Sequence, residues 1–192
     1  MVIEITPRES VAADIKLVLD ELQRTLAAVD SEQIATAADD IFAARRIFVV
    51  GAGRSGLALK MSAMRLMHLG LTVHVAGEVT TPAIAGNDLL LAASGSGSTS
   101  SVVHAAEVAR NAGAKVLAIT TAPASKLATI ANGLVVIPAA TKQAHGNTVS
   151  QQYAGALFEQ TVLLVMDAMF QGMWHERGEP ADVLWKRHAN LE

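Results

Sequence analysis

The 192-residue chain carries a formal net charge of −3 at neutral pH, contains no cysteine, and has 51% apolar but only 4% aromatic residues. This length suits one domain with a sizeable core, and the weakly acidic balance argues against a nucleic-acid partner. The lack of thiols excludes disulfides, a thiolate nucleophile and thiolate metal ligands. No apolar run reaches the roughly 18 residues of a membrane span, and the N-terminus lacks a signal-peptide pattern, so we expect a cytoplasmic protein without a membrane partner.

The first third of the chain is predicted to hold two helices, a buried strand and a third helix. Apolar residues recur at helical spacing, and Asp30 or Ser31 is placed to cap the second helix. The strand, IFVV, is short and wholly apolar, which is typical of a strand covered on both faces. In chain order these elements are helix 9–29, helix 31–44, strand 47–50, and a helix that follows GAGRSG (51–56) and ends near residue 69, before Gly70.

Beyond Gly70, short apolar strands alternate with helices, which implies parallel strands joined by right-handed crossovers. The expected elements are strand 71–76, strand 88–93, helix 99–111, strand 115–120, helix 125–131, strand 134–138, helix 152–173 and helix 180–189. We therefore predict a single α/β domain over 1–192, a flavodoxin-like three-layer sandwich around a five-stranded parallel sheet. N-terminal helices occupy 1–45, the α/β core 46–150, and C-terminal helices 151–192.

Glycine-rich segments follow the first and third strands. In a flavodoxin-like sheet these two strands flank the point where strand order reverses and ligands bind. Glycine allows an anion to approach the backbone closely, serine and threonine add hydroxyl donors, and a helix start offers its positive end. The third-strand loop is therefore predicted to bind a phosphate monoester. Its candidate residues are Ser94, Gly95, Ser96, Gly97, Ser98 and Thr99.

Two other interpretations of these loops exist. GAGRSG matches the dinucleotide pattern GxGxxG, and Glu78 follows Gly56 at roughly the spacing of a ribose-binding carboxylate. A dinucleotide site, however, does not need a second hydroxyl-rich loop, and its glycine pattern normally stands near the start of a Rossmann unit. The loops could also serve only as turns and helix caps. A sugar-phosphate cradle is the reading that the sequence favours.

The motifs GxGRS and SGSGxT together resemble the SIS (sugar isomerase) domain family. The segments GAGRSGLALKMSAMRLMHLG, GEVTTPAI, DLLLAASGSGSTSSVV, GALFEQ and KRHANLE resemble the 6-phospho-3-hexuloisomerase family within it. This resemblance implies interconversion of D-arabino-3-hexulose 6-phosphate and D-fructose 6-phosphate in the ribulose monophosphate pathway of formaldehyde fixation. It also implies a homotetramer, and we expect the first two helices to form subunit contacts that leave the active sites near the boundaries.

The expected chemistry moves a ketone from C3 to C2 through a cis-enediolate, and one carboxylate can carry the proton from C2 to C3. The reaction needs neither a metal nor a redox cofactor. The resemblance assigns the carboxylate to Glu159 in GALFEQ. Apolar neighbours would withdraw an inward-facing carboxylate from water and strengthen it as a base. Spacing alone would favour a side chain that faces solvent.

Four further residues are candidates with alternative roles. Arg54 could pair with the phosphate or an enediolate oxygen, and Ser55 could bind the sugar or cap its helix. Glu78 could contact sugar hydroxyls or another subunit. His188, in KRHANLE, could reach a neighbouring active site and assist ring opening, or pack in the terminal helix.

Other features of the chain bear on metal binding and loop shape. His145 and His175 do not have metal-ligand spacing, so a zinc site is disfavoured. The chain has Tyr153 and Ala154 where relatives often have a Pro-Met or Pro-Leu pair, so the shape of that loop does not follow from the resemblance.

Alternative functions are a phosphosugar sensor without turnover, or an isomerase for arabinose 5-phosphate or a heptose 7-phosphate. Sensors are usually fused to a DNA-binding helix-turn-helix. Here Arg24 is the only cation between residues 17 and 44, which makes the first helices poor DNA readers. Arabinose 5-phosphate isomerases usually carry appended domains, and heptose phosphate isomerases tend to have metal-binding histidines at other positions.

Overall fold

A computed structural model describes residues 7–140 and 149–191. Each predicted strand and helix is present, with some ends displaced. The helices are α1 (Pro7–Ala27), α2 (Ser31–Ala43), α3 (Gly53–His68), α4 (Ser100–Asn111), α5 (Lys126–Ile130), α6 (Ala156–Arg177) and α7 (Ala181–Trp185). The strands are β1 (Ile47–Gly51), β2 (Val73–Val75), β3 (Leu89–Ala93), β4 (Lys115–Thr120) and β5 (Gly133–Val136). Within the described ranges, no helix is long and apolar enough to cross a membrane.

The five strands pair in parallel in the order β2-β1-β3-β4-β5, which confirms the predicted flavodoxin-like sheet. Ile47 at the start of β1 pairs with Val73 of β2 on one side and with Leu89 of β3 on the other. The chain therefore leaves β1 for one edge of the sheet and returns to β1's other side as β3. This reversal places the loops after β1 and β3 side by side at the carboxyl edge.

Alternation along the strands divides the core into two layers. Ile47, Val49 and Leu91 face a cluster that also includes apolar residues of α2, α3 and α6. Phe48 and Leu90 face the opposite side and pack with α4 and α5. Strands buried on both faces must be apolar throughout, which is why they read as continuous runs rather than alternating patterns. The three-layer arrangement is as predicted.

The start of α6 is displaced from the expected position, because the helix begins at Ala156 rather than 152. Ala154 has a φ of 46° and Gly155 a φ of 79°, so both lie in the left-handed region and cannot belong to a right-handed helix. At the other end α6 passes the expected stop and ends before Gly178, which also has a positive φ of 61°. Strand β2 is shorter than predicted, because Gly70 and Leu71 still hydrogen-bond to the last turn of α3.

The β1–α3 turn depends on a close backbone approach between two glycines. A Cβ atom on Gly56 would lie 2.5 Å from the carbonyl oxygen of Gly51, and one on Gly51 would lie 2.9 Å from the Cα of Gly56. Backbone atoms cannot move aside as the tip of a side chain can. These positions therefore have to be glycine for α3 to start directly above the end of β1.

We expect Gly56→Ala to lower the free energy of unfolding by about 1–3 kcal/mol, because the added methyl overpacks against the Gly51 carbonyl. Gly172→Ala is the matched control, since Gly172 lies at an exposed position of α6 and a Cβ there would meet no atom within 4 Å. The free energy of unfolding of the control should rise by about 0.5–1 kcal/mol, because alanine has a better helix propensity than glycine. Urea denaturation of both variants measures the difference, and equal stabilities would contradict the steric argument.

Candidate active site

Three elements converge at the carboxyl edge of the sheet: the start of α3, the loop after β3, and the first turn of α6. Arg54 Nε of α3 donates a hydrogen bond of 2.5 Å to Glu159 Oε2 of α6. Gly95 of the β3 loop lies against Phe158, whose ring would be 3.2 Å from a Cβ at that glycine. The first turn of α6 therefore contacts both glycine-rich segments, and the structure brings Arg54, Glu159 and the β3 loop into one crevice.

Glu159 faces inward, and its residue is only 5% exposed. Leu157, Phe158 and Val162 around it are buried in the core layer that joins α6 to α3 and the sheet. The partial positive charge of the helix N-terminus favours a carboxylate in this first turn. The buried position matches the environment expected of a proton-transferring carboxylate and differs from the solvent-facing alternative.

Arg54 reaches the buried carboxylate from the solvent side, and its side chain is 65% exposed. The sequence interpretation paired this residue with phosphate or an enediolate oxygen, whereas the structure pairs it with Glu159. A guanidinium carries five N–H donors in a planar fork, so the bond through Nε leaves it able to bind a second anion. Ser55, the next residue, is buried in the first turn of α3.

The loop after β3 folds into a tight turn held by its own small residues. Gly97 N–H donates to the carbonyl of Ser94 over 3.0 Å, and its φ of 60° is one that glycine adopts without strain. The hydroxyls of Ser94 and Thr99 are 2.9 Å apart, and those of Ser96 and Ser98 are 3.0 Å apart. Ser96 and Ser98 are exposed, so the turn presents hydroxyl groups to solvent on a backbone of fixed shape.

Thr120, the last residue of β4, and residues that follow it brace this loop from behind. The carbonyl oxygen of Gly95 accepts hydrogen bonds from the hydroxyls of Thr120 (3.1 Å) and Thr121 (2.8 Å) and from Thr121 N–H (3.1 Å). The carbonyl of Gly97 accepts from Leu127 N–H over 3.0 Å. Sequence reasoning missed both threonines. Their signal was available, because they stand at the carboxyl end of the strand that neighbours β3 in the predicted sheet order.

The helices that start in this crevice lack side-chain caps. Ala52, Thr99 and Gly155 precede α3, α4 and α6, and none makes a side-chain cap hydrogen bond, as is also true of the short helix α7. By contrast, Asp30 caps α2 and Ser125 caps α5. The first turn of α6 already holds the Glu159 carboxylate, whereas the first turns of α3 and α4 contain no acidic residue, so the positive ends of these two helices favour an anionic ligand.

Glu78 lies in an adjoining cavity of about 290 Å³ between the ends of β1 and β2. It forms an ion pair of 2.6 Å with Lys60 of α3, and the glycine backbone at Gly51, Gly56 and Gly77 lines the same cavity. The Lys60 ammonium hydrogen-bonds to the Glu78 carboxylate and holds the pKa of that carboxyl below its usual range. Sequence reasoning missed Lys60, although it lies one helical turn after GAGRSG.

The structure does not bring His188 into the crevice of its own chain. Its ring stacks between His68, at a centroid distance of 5.0 Å, and Trp185, at 4.8 Å. His68 is 14 residues, or about 21 Å, along α3 from Arg54. His188 therefore lies beside the far end of α3 from Arg54, and a catalytic role for it in a neighbouring subunit stays a prediction.

In the two described ranges, no cluster of three or more His, Asp or Glu side chains could hold a metal ion. His175 contacts Gln171 on α6. His145 lies outside the described residues.

The sheet order and the crevice define the class: a flavodoxin-like α/β protein whose site, at the strand-order reversal, combines a buried carboxylate, an arginine and a glycine- and serine-rich loop. The chain belongs to the SIS domain family, whose family model matches residues 40–164. This confirms the family resemblance carried by the motifs. Helix α1 and the second half of α6 lie outside the matched residues.

Two curated relatives match almost the full chain. The chain is 55% identical to the 3-hexulose-6-phosphate isomerase of Mycobacterium gastri over 96% of its own length and 92% of the relative's. It is 39% identical to the protein of the same name from Bacillus subtilis over 91% and 95% of the two chains. A solved structure from Methanococcus jannaschii, described as inferring a 3-hexulose-6-phosphate isomerase function, superposes with a TM-score of 0.80 at 28% identity. The superposition covers 94% of this chain and 99% of that one.

We expect Lys60→Met to raise the pKa of Glu78 toward its usual value, because the variant removes the hydrogen bond and the charge that lower it. A pH titration of the Glu78 carboxyl carbon by NMR measures the shift. Lys115→Met, which removes a lysine paired with Asp40 instead, should leave the Glu78 titration unchanged. An unmoved midpoint in Lys60→Met would mean that the pair does not persist in solution.

Proposed function

We propose that this protein is an isomerase that interconverts 3-hexulose 6-phosphate and fructose 6-phosphate. The observation that carries the proposal is the 55% identity to a curated 3-hexulose-6-phosphate isomerase over nearly the whole chain. The geometry fits that reaction, because a buried carboxylate and an arginine adjoin a loop suited to a phosphate ester. The curated relatives are named as isomerases, which favours turnover over the alternative of a sensor that binds without reaction.

The phosphate of the substrate is assigned to the loop from Ser94 to Thr99. Exposed hydroxyls of Ser96 and Ser98, the backbone around Gly97, and the start of α4 supply neutral donors. A doubly charged ester is well matched to such a site, since oriented N–H and O–H dipoles and a helix end stabilise it without a lysine cluster. Glu159 lies across the crevice, where the carbon chain of the bound sugar would extend.

Glu159 is assigned the proton transfer. Its carboxylate takes the C2 proton of 3-hexulose 6-phosphate, the C2–H electron pair becomes the C2=C3 bond of a cis-enediolate, and the C3 carbonyl electrons move to O3. The proton then returns to C3 while the O2–H proton moves to O3, which completes the C3 hydroxyl as the C2 carbonyl forms, so the reaction is balanced without a redox cofactor. A positioned base of this kind contributes roughly 10²–10⁴-fold to the rate.

Arg54 is assigned the stabilisation of the enediolate. Its guanidinium offsets the charge of Glu159. When negative charge develops on the substrate oxygen, the same guanidinium can bind it through its remaining donors, and electrostatic stabilisation of this type is often the largest catalytic term. Because O6 carries the phosphate, the 3-ketose cannot close a five-membered ring and arrives open-chain, so the forward reaction needs no ring-opening residue.

We also infer a homotetramer with active sites near subunit boundaries. Large apolar side chains stay exposed at helical spacing on two helices: Val11, Ile15 and Leu19 on α1, and Leu57, Met61 and Met64 on α3. Leu57 is three residues from Arg54 and shares its face of α3, so a second copy that covers this stripe would border the crevice. A catalytic role for His188 of one chain at another chain's site belongs to the same proposal. A cytoplasmic location stays a prediction of the sequence.

We expect Glu159→Gln to reduce kcat by about 10²–10⁴-fold, because the amide keeps the shape of the side chain but cannot accept the proton. The dissociation constant for fructose 6-phosphate should stay within a few-fold of the wild-type value. The assay supplies 3-hexulose 6-phosphate and measures fructose 6-phosphate. Glu176→Gln, an exposed substitution of the same type on α6, is the control and should retain activity. A fully active Glu159→Gln protein would overturn the assignment, and a wild-type protein without turnover would favour the sensor.

We expect Gly97→Ala to weaken binding of fructose 6-phosphate by about tenfold or more, which is ~1.4 kcal/mol. The new Cβ would lie 1.9 Å from Ser125 Oγ and would hold alanine at a φ of 60°, so the turn has to change shape. Isothermal titration calorimetry gives the affinity. Gly86→Ala, whose Cβ would be 3.9 Å from its nearest neighbour, is the control. An unchanged affinity in Gly97→Ala would contradict the assignment of the phosphate to this loop.

A further inference from the structure

Helix α1 contains a buried carboxylate that belongs neither to the matched SIS region nor to the crevice. Glu21 is 2% exposed and lies on the same face of α1 as Thr25, which is also buried. Helix α1 packs against α6, the helix that carries Glu159. A glutamate is almost never fully buried without partners, so its contacts identify what the residue does.

Glu21 binds the segment that leads into α6. Its Oε1 accepts a hydrogen bond of 2.7 Å from Gln151 N–H, and its Oε2 accepts from Ser150 Oγ at 2.7 Å and from Gln152 Nε2 at 3.0 Å. Ser150 Oγ in turn accepts from Gln152 N–H at 3.0 Å, which closes the segment into a compact turn. One carboxylate thus holds three successive residues.

The Glu21 contacts favour the ionised carboxylate, because that form accepts all three hydrogen bonds without reorientation of Ser150 or Gln152. Burial acts to raise the pKa of Glu21, but the hydrogen bonds from the turn and the nearby charge of Arg24 lower it by more. The pKa of Glu21 therefore lies below its usual value, and the carboxylate that clamps the turn is charged at neutral pH.

The segment between the clamped turn and α6, the helix that carries Glu159, is short, and its backbone adopts an unfavourable conformation. Only Tyr153, Ala154 and Gly155 separate Gln152 from the first residue of α6. Ala154 has a φ of 46°, and a non-glycine residue persists in that region only when its surroundings enforce it. The fixed turn at Glu21 on one side and the packed helix α6 on the other supply that enforcement.

We propose that Glu21 is a positioning residue for catalysis: by clamping residues 150–152 it sets the start of α6 and thereby the placement of the Glu159 carboxylate over the substrate. The proposal rests on the proposed function. It gives the N-terminal helix a role in the reaction in addition to the subunit contacts expected from the sequence.

The test is Glu21→Gln in the full-length protein. Glutamine keeps the shape but is neutral, so the charge-assisted hydrogen bonds of the carboxylate become weaker neutral ones, and the Ser150 hydroxyl and the Gln152 amide have to reorient around the new NH₂ group. We expect kcat to fall by about 10–100-fold, the range that a displacement near 1 Å can cause, with the fructose 6-phosphate dissociation constant within about twofold of wild type. Asp20→Asn, on the exposed side of α1, is the matched control and should keep full activity.

Two further measurements separate positioning from a loss of folded protein. With fructose 6-phosphate deuterated at C3, the primary isotope effect on kcat should rise in Glu21→Gln, because a displaced base makes proton transfer more rate-limiting. A smaller active fraction would leave it unchanged. Glu21→Asp, which keeps the charge, should recover part of the lost kcat. Amide hydrogen exchange in peptides covering 149–159 should be faster in Glu21→Gln than in Asp20→Asn.

The outcomes are distinct. A Glu21→Gln protein with wild-type kcat, or with a kcat loss that matches its loss of folded protein at an unchanged isotope effect, would overturn the positioning role while leaving the proposed function in place. A wild-type protein that does not convert 3-hexulose 6-phosphate would overturn the proposed function and, with it, the role of Glu21.

Discussion

The contact between Arg54 and Glu159 links the two parts of the molecule on which the rest of the crevice depends. It joins the start of α3 to the start of α6, and both helices pack in the same core layer. A buried carboxylate without a nearby cation would be costly, and an exposed arginine alone would adopt many conformations. Each group therefore stabilises the position of the other, with the β3 loop held against Phe158 beside them.

Backbone geometry explains why so many small residues are concentrated here. Gly51 and Gly56 let a helix start directly above a strand, and Gly97 allows a turn that fits against Ser125. Side chains at these positions would fill the space that a ligand needs. The serine hydroxyls and the helix ends then supply polarity without bulk, so an anion can approach the backbone itself. These small residues add little buried apolar area, but they determine the shape of the site.

Much of this architecture could be predicted from the sequence. Wholly apolar strands and glycine-rich turns indicate a parallel sheet with its site at the reversal of strand order, and the motif at Glu159 pointed to the carboxylate. The start of α6 was missed because a positive φ at Ala154 has no local signal in an alanine. The ion pairs of Glu159 with Arg54 and of Glu78 with Lys60, and the braces at Thr120 and Thr121, join residues far apart in sequence or on different elements. The spacing of apolar residues along the chain carries no information about such pairings.

The separation of 105 residues between Arg54 and Glu159 has a consequence for how the protein matures. All five strands and most of the helices are encoded between or before these two side chains, so a chain emerging from the ribosome lacks a complete crevice until α6 has been synthesised and has docked. Contacts this distant in sequence form slowly, since a long loop must close before they contribute. The catalytic crevice of such a fold therefore forms in one late step, when α6 docks, rather than gradually during synthesis.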